Sequence, residues 1–410
     1  MQSILEQLPG PGVWEDFLAY RLRKGRLNWH EFEQADAYVA DADYLPVAER
    51  FAHGGAPGIP VRHQINKMGT GRKRIVYSFP PEEMTVLKVI AHLLYRYDGR
   101  ISPNCYSFRR GLTAHDAVMR LVRSVGEEPV WAYKLDIHDY FNSISIPLLL
   151  PILQQVLADD PPLYRFFKTM LSDDRVWWDG GVIHEQHGVM AGTPTAPFLA
   201  DIYLTEVDRH FEQAGVLYAR YSDDMILFAR DRQSLDRHIA ALASFLEKYR
   251  LQANPDKERI FAPGEAWDFL GFKCLGSRID IADATRRKMQ DKIRRKAHAL
   301  LRWRRKQDVA PEAAMRAMIR HFNTKFFEGD DPGSLTWSRW FFPLLTETDG
   351  LRRIDRYFQE QLRFLATGRH NKKNFSVRYG TLKSLGYRSL VHEFYAPLSG
   401  RPGFGRLPEL

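Results

Sequence analysis

Leu217-Tyr218-Ala219-Arg220-Tyr221-Ser222-Asp223-Asp224-Met225-Ile226-Leu227-Phe228-Ala229 is the stretch on which the reading of this chain turns. Two apolar, aromatic-rich runs flank a short polar break, the pattern of a β-hairpin with Asp223 and Asp224 at its tip. Adjacent carboxylates in a hydrophobic hairpin are partly desolvated and repel one another. A divalent cation removes that cost. Mg²⁺ is usually held by one or two carboxylates together with substrate phosphates, so the tip is a candidate site for phosphoryl chemistry. Taken alone, the pair is explained as well by an exposed acidic turn.

Working outward, Val130 to Asp136 alternates as a strand and ends at a carboxylate, with a turn following. A third carboxylate at a strand end is what a two-metal site needs to clamp the attacking and leaving oxygens of an in-line displacement. His138 and Asp139 suit the turn better than a metal. Phe141, five residues past Asp136, is spaced to return to the same site. Gly188 to Pro197 is a loop of small residues that lets backbone or a base approach closely, before a helix carrying Phe198, Leu199, Ile202 and Tyr203. Lys257 closes a polar turn after an amphipathic helix over 234–249, either as a surface lysine or as a proton donor to a leaving pyrophosphate. Trp267 to Lys273 reads as an apolar strand pair centred on a glycine.

Upstream, Gly69-Thr70-Gly71-Arg72-Lys73-Arg74 precedes an apolar strand over 75–79. It suits a loop laying cationic heads on a triphosphate, or a solvated basic turn. Helices are expected over 13–51, over 82–97 and, with a break at Pro161-Pro162, over 147–171. Val176–Trp178 and Val182–Ile183 bracket Asp179-Gly180-Gly181 as a hairpin. Thr113 is placed to cap a helix. Just before it, Arg109 and Arg110 stand beside Tyr106 and Phe108, suited to a nucleic-acid backbone with stacked bases or to cation-π packing without a ligand.

Composition bounds the partners. A formal charge of +9 and a pI near 9.4 point to a polyanion, while 44% hydrophobic and 13% aromatic residues belong to a folded protein with room for two or three subdomains in 410 residues. Two cysteines, Cys105 and Cys274, give neither a disulfide framework nor a zinc cluster. No run of apolar residues is long enough to span a bilayer and the N-terminus has no leader pattern, so a soluble, cytoplasmic protein without a membrane partner is expected. Between Arg286 and Arg320 there are 13 Lys/Arg against three acids, with Trp303 among them. That density on a helix suits a groove tracking phosphates, with Arg294, Arg295, Arg302, Arg304 and Arg305 as candidates. A second basic stretch covers 352–383, and 399–405 reads as an irregular tail.

In this order the pieces resemble a bacterial reverse transcriptase of the short, retron and group II intron-like kind, with seven blocks over roughly residues 60 to 275. Tyr221-Ser222-Asp223-Asp224 is similar to the family's Tyr-x-Asp-Asp box, and Asp136 with Tyr140-Phe141 to its first palm motif. The resemblance implies that Phe141 is the gate excluding a ribose 2′-hydroxyl and that Gly192 and Pro194 position template and nucleotide. It makes Lys257 the later palm lysine, Phe269-Leu270-Gly271-Phe272 the primer grip, and Arg72, Lys73 and Arg74 the triphosphate contacts. Tyr106 to Gly111 is similar to a fingers motif of group II intron-like enzymes.

It further implies an α+β right-hand polymerase: an N-terminal helical layer over 1–58, fingers and palm with an antiparallel sheet over 59–283, a basic helical thumb over 284–345 and a basic extension over 346–410. Asp136, Asp223 and Asp224 would hold two Mg²⁺ ions, with Mn²⁺ as a possible substitute, and the partners would be dNTPs, a structured noncoding RNA template and its cDNA. Two departures refine this. Pro194-Thr195-Ala196-Pro197 stands where intron enzymes carry Pro-Gln-Gly, closer to retron and abortive-infection enzymes, and no cysteine-rich or His-Asn-His region follows the basic segment. Short bacterial enzymes of that architecture often serve phage defence. A template-independent or protein-primed DNA polymerase, and a catalytically idle RNA-binding protein, are the alternatives.

Overall fold

A computed structural model describes residues 2–25, 29–66, 73–329 and 335–396. Arg72 with its Gly69–Gly71 lead-in, and the expected tail over 399–405, lie outside the described residues. Two compact units divide the chain between Glu265 and Ala266. The division falls ahead of the expected boundary at 283/284 because the strands within 267–281 form a sheet of their own.

The first unit holds β1 (Val61–Asn66), β2 (Lys73–Ser78), β3 (Trp131–Asp136), β4 (Arg175–Trp178), β5 (Gly181–His184), β6 (Tyr218–Tyr221), β7 (Asp224–Ala229) and β8 (Arg259–Phe261). β6-β7-β3-β8 is an antiparallel sheet, and β2-β1-β4-β5 is a second one in which β1 and β4 run parallel. The apolar runs on either side of Asp223 become the two arms of the β6–β7 hairpin. Met225 to Ala229 are buried without alternation because both faces of this strand are covered, one of them by the helix Arg232–Lys248. Burying each such large side chain contributes roughly 1.5–3 kcal/mol. In the β4–β5 turn, Asp179 and Gly180 both take positive φ, as a tight two-residue hairpin requires.

Helices Ile4–Gln7, Pro11–Arg23, Trp29–Ala40 and Leu45–Ala52 form the N-terminal layer. Its anchor is Asp160, which is buried and accepts from Ser3 Oγ at 2.6 Å, from the Ile4 and Leu163 amides at 2.8 and 3.2 Å and from Arg96 at 2.6 Å. Asp160 also caps the helix Pro161–Ser172, so the proline pair expected as a break instead opens a helix, where a missing N–H costs nothing. Thr113 caps Ala114–Val125 in a capping box with Asp116.

The second unit begins with β9 (Trp267–Phe269), β10 (Phe272–Leu275) and β11 (Arg278–Ile281), in the order β11-β10-β9. The basic segment is the helix Asp283–Lys306, followed by Pro311–Asn323. Met289, Ile293, Ala297 and Leu301 recur every four residues as its buried stripe, against Asp349–Thr367, and leave the cations on its other faces. Among the described residues, no helix is long and apolar enough to cross a membrane.

Candidate active site

The hairpin pairing decides where the acids stand. Tyr221 faces Asp224 across β6 and β7, so Ser222 and Asp223 are the two turn residues and Asp224 is the first residue of β7. On its other side Asp224 faces Asp136, the last residue of β3, and Ile137 N–H donates to Asp223 O at 3.1 Å. Three carboxylates from segments almost ninety residues apart therefore share one end of the sheet. Only Ser222 of the two turn residues has positive φ, at 59°, the pattern of a type II′ turn whose first position favours glycine.

Asp136 is 3% exposed and fully engaged. Its main-chain oxygen accepts from the Asn254 amide at 2.7 Å, Oδ1 from Asn254 Nδ2 at 3.3 Å, and Oδ2 from Lys257 Nζ at 2.5 Å. Asn254 did not stand out in the sequence; its signal was the Asn-Pro-Asp-Lys turn that delivers Lys257. Lys257 neutralises Asp136, and the strain falls on Asp223. Burial first, then the charges of Asp136 and Asp224, push the Asp223 carboxyl up to about 6, against a smaller opposing pull from Lys257. Among the described residues, no three acidic, imidazole or thiol groups are gathered closely enough to enclose an ion by themselves. The donor set nonetheless fits Mg²⁺, which takes one or two carboxylates and completes its shell with water and substrate oxygens.

The loop before the helix Ala196–Tyr203 is wedged against this end. Val189 N–H donates to Phe141 O at 2.9 Å, the Asn142 side chain bridges the Ala191 amide and Ile75 O at 3.3 Å each, and Tyr77 N–H donates to Ala191 O at 2.8 Å. A Cβ on Gly188 would lie 2.2 Å from Phe141 O, and one on Gly192 would lie 3.0 Å from Tyr77 O. Gly192, two residues before Pro194, is thereby joined to β2, whose first residues are the exposed Lys73 and Arg74, and Gly188 to the gate candidate Phe141. Phe108 is 42% exposed and lies against both Phe141 and Tyr221, with ring centroids 6.4 and 6.3 Å apart.

The family profile described as reverse transcriptase (RNA-dependent DNA polymerase) matches residues 65–274, just over half of the chain, and spans every element named so far at this site. The chain belongs to the reverse transcriptase family. Its fold class, α+β and that of the right-hand polymerases, follows from the match. The chain is 27% identical over 142 residues to the retron Mx65 reverse transcriptase of Myxococcus xanthus, an alignment taking in 32% of this chain and 33% of that relative. Apo telomerase from Candida tropicalis, truncated from the C-terminal domain, superimposes with a TM-score of 0.44 at 13% identity over 54% of this chain and 55% of the other. Telomerase from the same organism with a TWJ fragment of telomeric RNA gives 0.44 at 14% over 80% and 64%.

In this reverse transcriptase, several cations expected on nucleic acid have internal tasks. Arg109 donates to the main-chain oxygens of Asp98, Ser102 and Cys105 at 2.8, 2.8 and 3.2 Å, so its guanidinium is spent on closing its own loop. Arg110 stacks over Tyr20 and Tyr95 and meets His92. The cation-π alternative describes Arg110, though on Tyr20 and Tyr95 instead of the expected Tyr106 and Phe108, while Arg109 is held by main-chain hydrogen bonds. In the second unit Arg304 donates to Leu365 O and Ala366 O at 2.8 Å, and Arg305 to Gly368 O at 3.2 Å, capping the end of Asp349–Thr367. Arg294 pairs with Asp291, while Arg295 and Arg302 are exposed and line one groove with Arg294 and His298. Phe269 and Phe272, expected in a primer grip, are fully buried because they pair across β9 and β10 facing the unit's own core, Phe272 against Phe341. Only the Leu270-Gly271 turn between them, both residues at positive φ, is presented.

Proposed function

We propose that this chain is an RNA-directed DNA polymerase that copies a structured noncoding RNA into cDNA in the cytoplasm, in the service of antiphage defence. The observation that carries the reading is the register of Asp136 on Asp224 with Asp223 in the adjoining turn, in a chain of the reverse transcriptase family. The defence role is proposed from the resemblance to short bacterial enzymes of the retron kind, with which the retron relative agrees.

Asp136, Asp223 and Asp224 would hold two Mg²⁺ ions, which when bound lower the pKa of the attacking hydroxyl and stabilise the leaving pyrophosphate. The raised Asp223 carboxyl supports this, since a site that repels its own second charge is one that a cation relieves. The chain's residues supply the rest. Lys257 orients Asp136 through their ion pair. Lys73 and Arg74, with Arg72 preceding them, offer cationic heads for the triphosphate. Phe141 would meet a ribose 2′-hydroxyl with its ring, and Gly192 and Pro194 would shape the floor beneath the base, as the family resemblance implies. Arg295 and Arg302 offer phosphate contacts on the basic helix.

The test is dNTP incorporation by the full-length protein on RNA, with Mg²⁺ and with chelator, followed by sequencing of the product. Asp223→Ala with Asp224→Ala is expected to abolish synthesis and leave RNA binding intact. Synthesis that persists in that double variant sinks the assignment, and a product unrelated to any RNA supplied makes the enzyme template-independent.

A further inference from the structure

Beside the acidic turn, segments far apart in the chain meet in a buried polar cluster that the chemistry above does not use. Residues 104–106 run alongside β6: Tyr106 N–H donates to Arg220 O and Arg220 N–H to Asn104 O, both at 2.9 Å. This brings the Ser107 hydroxyl to the turn, where it accepts from Ser222 N–H at 2.9 Å and donates to Asp201 Oδ1 at 2.6 Å. The amide can only donate, so the hydroxyl's accepting role toward Ser222 is fixed, and Cys105 Sγ lies 3.4 Å from the same oxygen.

Arg220, 0% exposed, grips the other side. Its Nε and Nη2 hold Asp208 at 2.8 and 2.5 Å, Nη2 reaches Asp201 O at 2.9 Å, and Nη1 makes a longer 3.4 Å contact to Ser222 O. Tyr218 donates to Asp208 at 3.0 Å. Both polar groups of the Ser222 backbone therefore end on buried side chains. Ser222 needs them: a side chain at φ 59° sits where glycine is favoured, and such a conformation persists only when its surroundings over-determine it.

We propose that Ser107 is a positioning residue for the acidic turn: with Asp201, Arg220 and Asp208 it forms a strut that holds Ser222 left-handed and thereby sets where the Asp223 and Asp224 carboxylates stand for a divalent cation. The proposal rests on the polymerase reading only for the task those carboxylates perform. Removing Arg220 or Asp208 would strand the other's charge in the core, whereas Ser107, equally buried, is small and uncharged, so Ser107 is the informative position.

The experiment compares the full-length wild type with Ser107→Ala, Ser107→Thr and Ser107→Ala combined with Ser222→Gly. Mn²⁺ affinity is read by electron paramagnetic resonance of the free ion, kcat and KM from dNTP incorporation, and folding from thermal melts. Ser107→Ala is expected to weaken Mn²⁺ binding and lower kcat by about tenfold or more, with dNTP KM within about twofold and the melting temperature within a few degrees. Ser107→Thr keeps the hydroxyl and should behave as wild type. Ser222→Gly should restore part of the lost Mn²⁺ affinity, because glycine takes positive φ without help. Unchanged Mn²⁺ affinity and kcat in folded Ser107→Ala overturns the strut, as does a loss that Ser222→Gly leaves unrepaired. If Ser107→Ala does not fold, Ser107→Cys, close in volume and a weak acceptor, carries the same comparison. A wild type that binds Mn²⁺ through Asp223 yet incorporates no dNTP removes the polymerase reading and leaves the strut standing.

Discussion

The acidic turn and the buried cluster beside it both place charge inside an apolar sheet, and they settle that charge in opposite ways. In the cluster, Asp208 is clasped through two oxygens by Arg220, and Asp201 has Ser107 and the Arg220 guanidinium beside it. At the turn, Lys257 reaches Asp136, and the Asp223 carboxyl is left at about 6 under the charges of two neighbours. The contrast lies between Asp208, whose charge is matched within the fold, and Asp223, whose charge is opposed by two neighbouring carboxylates; burial pushes Asp201 up as well, to about 7, but there the Arg220 charge and the Ser107 hydrogen bond pull the other way.

The largest effect tests the matched side. Arg220→Ala strands the Asp208 carboxylate in the core and is expected to cost about 3–5 kcal/mol in denaturant unfolding. A loss under about 1 kcal/mol would mean that the pair is not what holds this part of the sheet.

The next tests the unmatched side. Because the folded Asp223 carboxyl sits above its ordinary 3.8, the acid contributes its stability below pH 4 and loses it as pH rises through about 6. Asp223→Asn should therefore stabilise the metal-free protein at pH 7, by on the order of 1–3 kcal/mol, and be neutral near pH 3.5. Saturating Mg²⁺ should erase the difference by stabilising wild type alone. A destabilised Asn variant in chelator would break the comparison.

The smallest carries the same distinction to the basic helix. Arg302→Gln should flatten the salt dependence of RNA binding by about 0.7–0.9 in log–log slope with no change in melting. Arg304→Gln should leave the slope alone and cost about 1–2 kcal/mol of stability, since its partners are two carbonyls at a helix end. Exchanged outcomes would show that internal hydrogen bonds do not sort these arginines.

The central hairpin, β3 and the candidate acids were legible in the sequence because an apolar run broken by polar residues is a local signal, and period-two alternation needs only neighbours to be read. The strut was not. Arg220 lies inside the first arm of the hairpin, where no reading of the sequence singles it out, and its partner Asp208 and the Ser107 hydroxyl belong to other segments that only folding brings together. The bond from Lys257 to Asp136 spans 121 positions for the same reason. Charge density identified the basic helix correctly as a helix, yet counting cations could not distinguish Arg302, facing solvent, from Arg304, whose partners are main-chain oxygens. Phe269 and Phe272 matched a family pattern whose side chains the local β9–β10 pairing turns inward.

Gly188 and Gly192 have a consequence for how such an enzyme could change its substrate. Both lie against backbone, Gly188 against the carbonyl of Phe141 at a distance no side chain could share and Gly192 against β2 at one that a side chain could share only by displacing its neighbour. The main chain that carries the proposed gate ring, Phe141, is thus backed by this loop. On the proposed gate role, a lineage could drift in its tolerance for ribose without altering the aromatic residue, by changing how the loop at Gly188 seats against the Phe141 carbonyl.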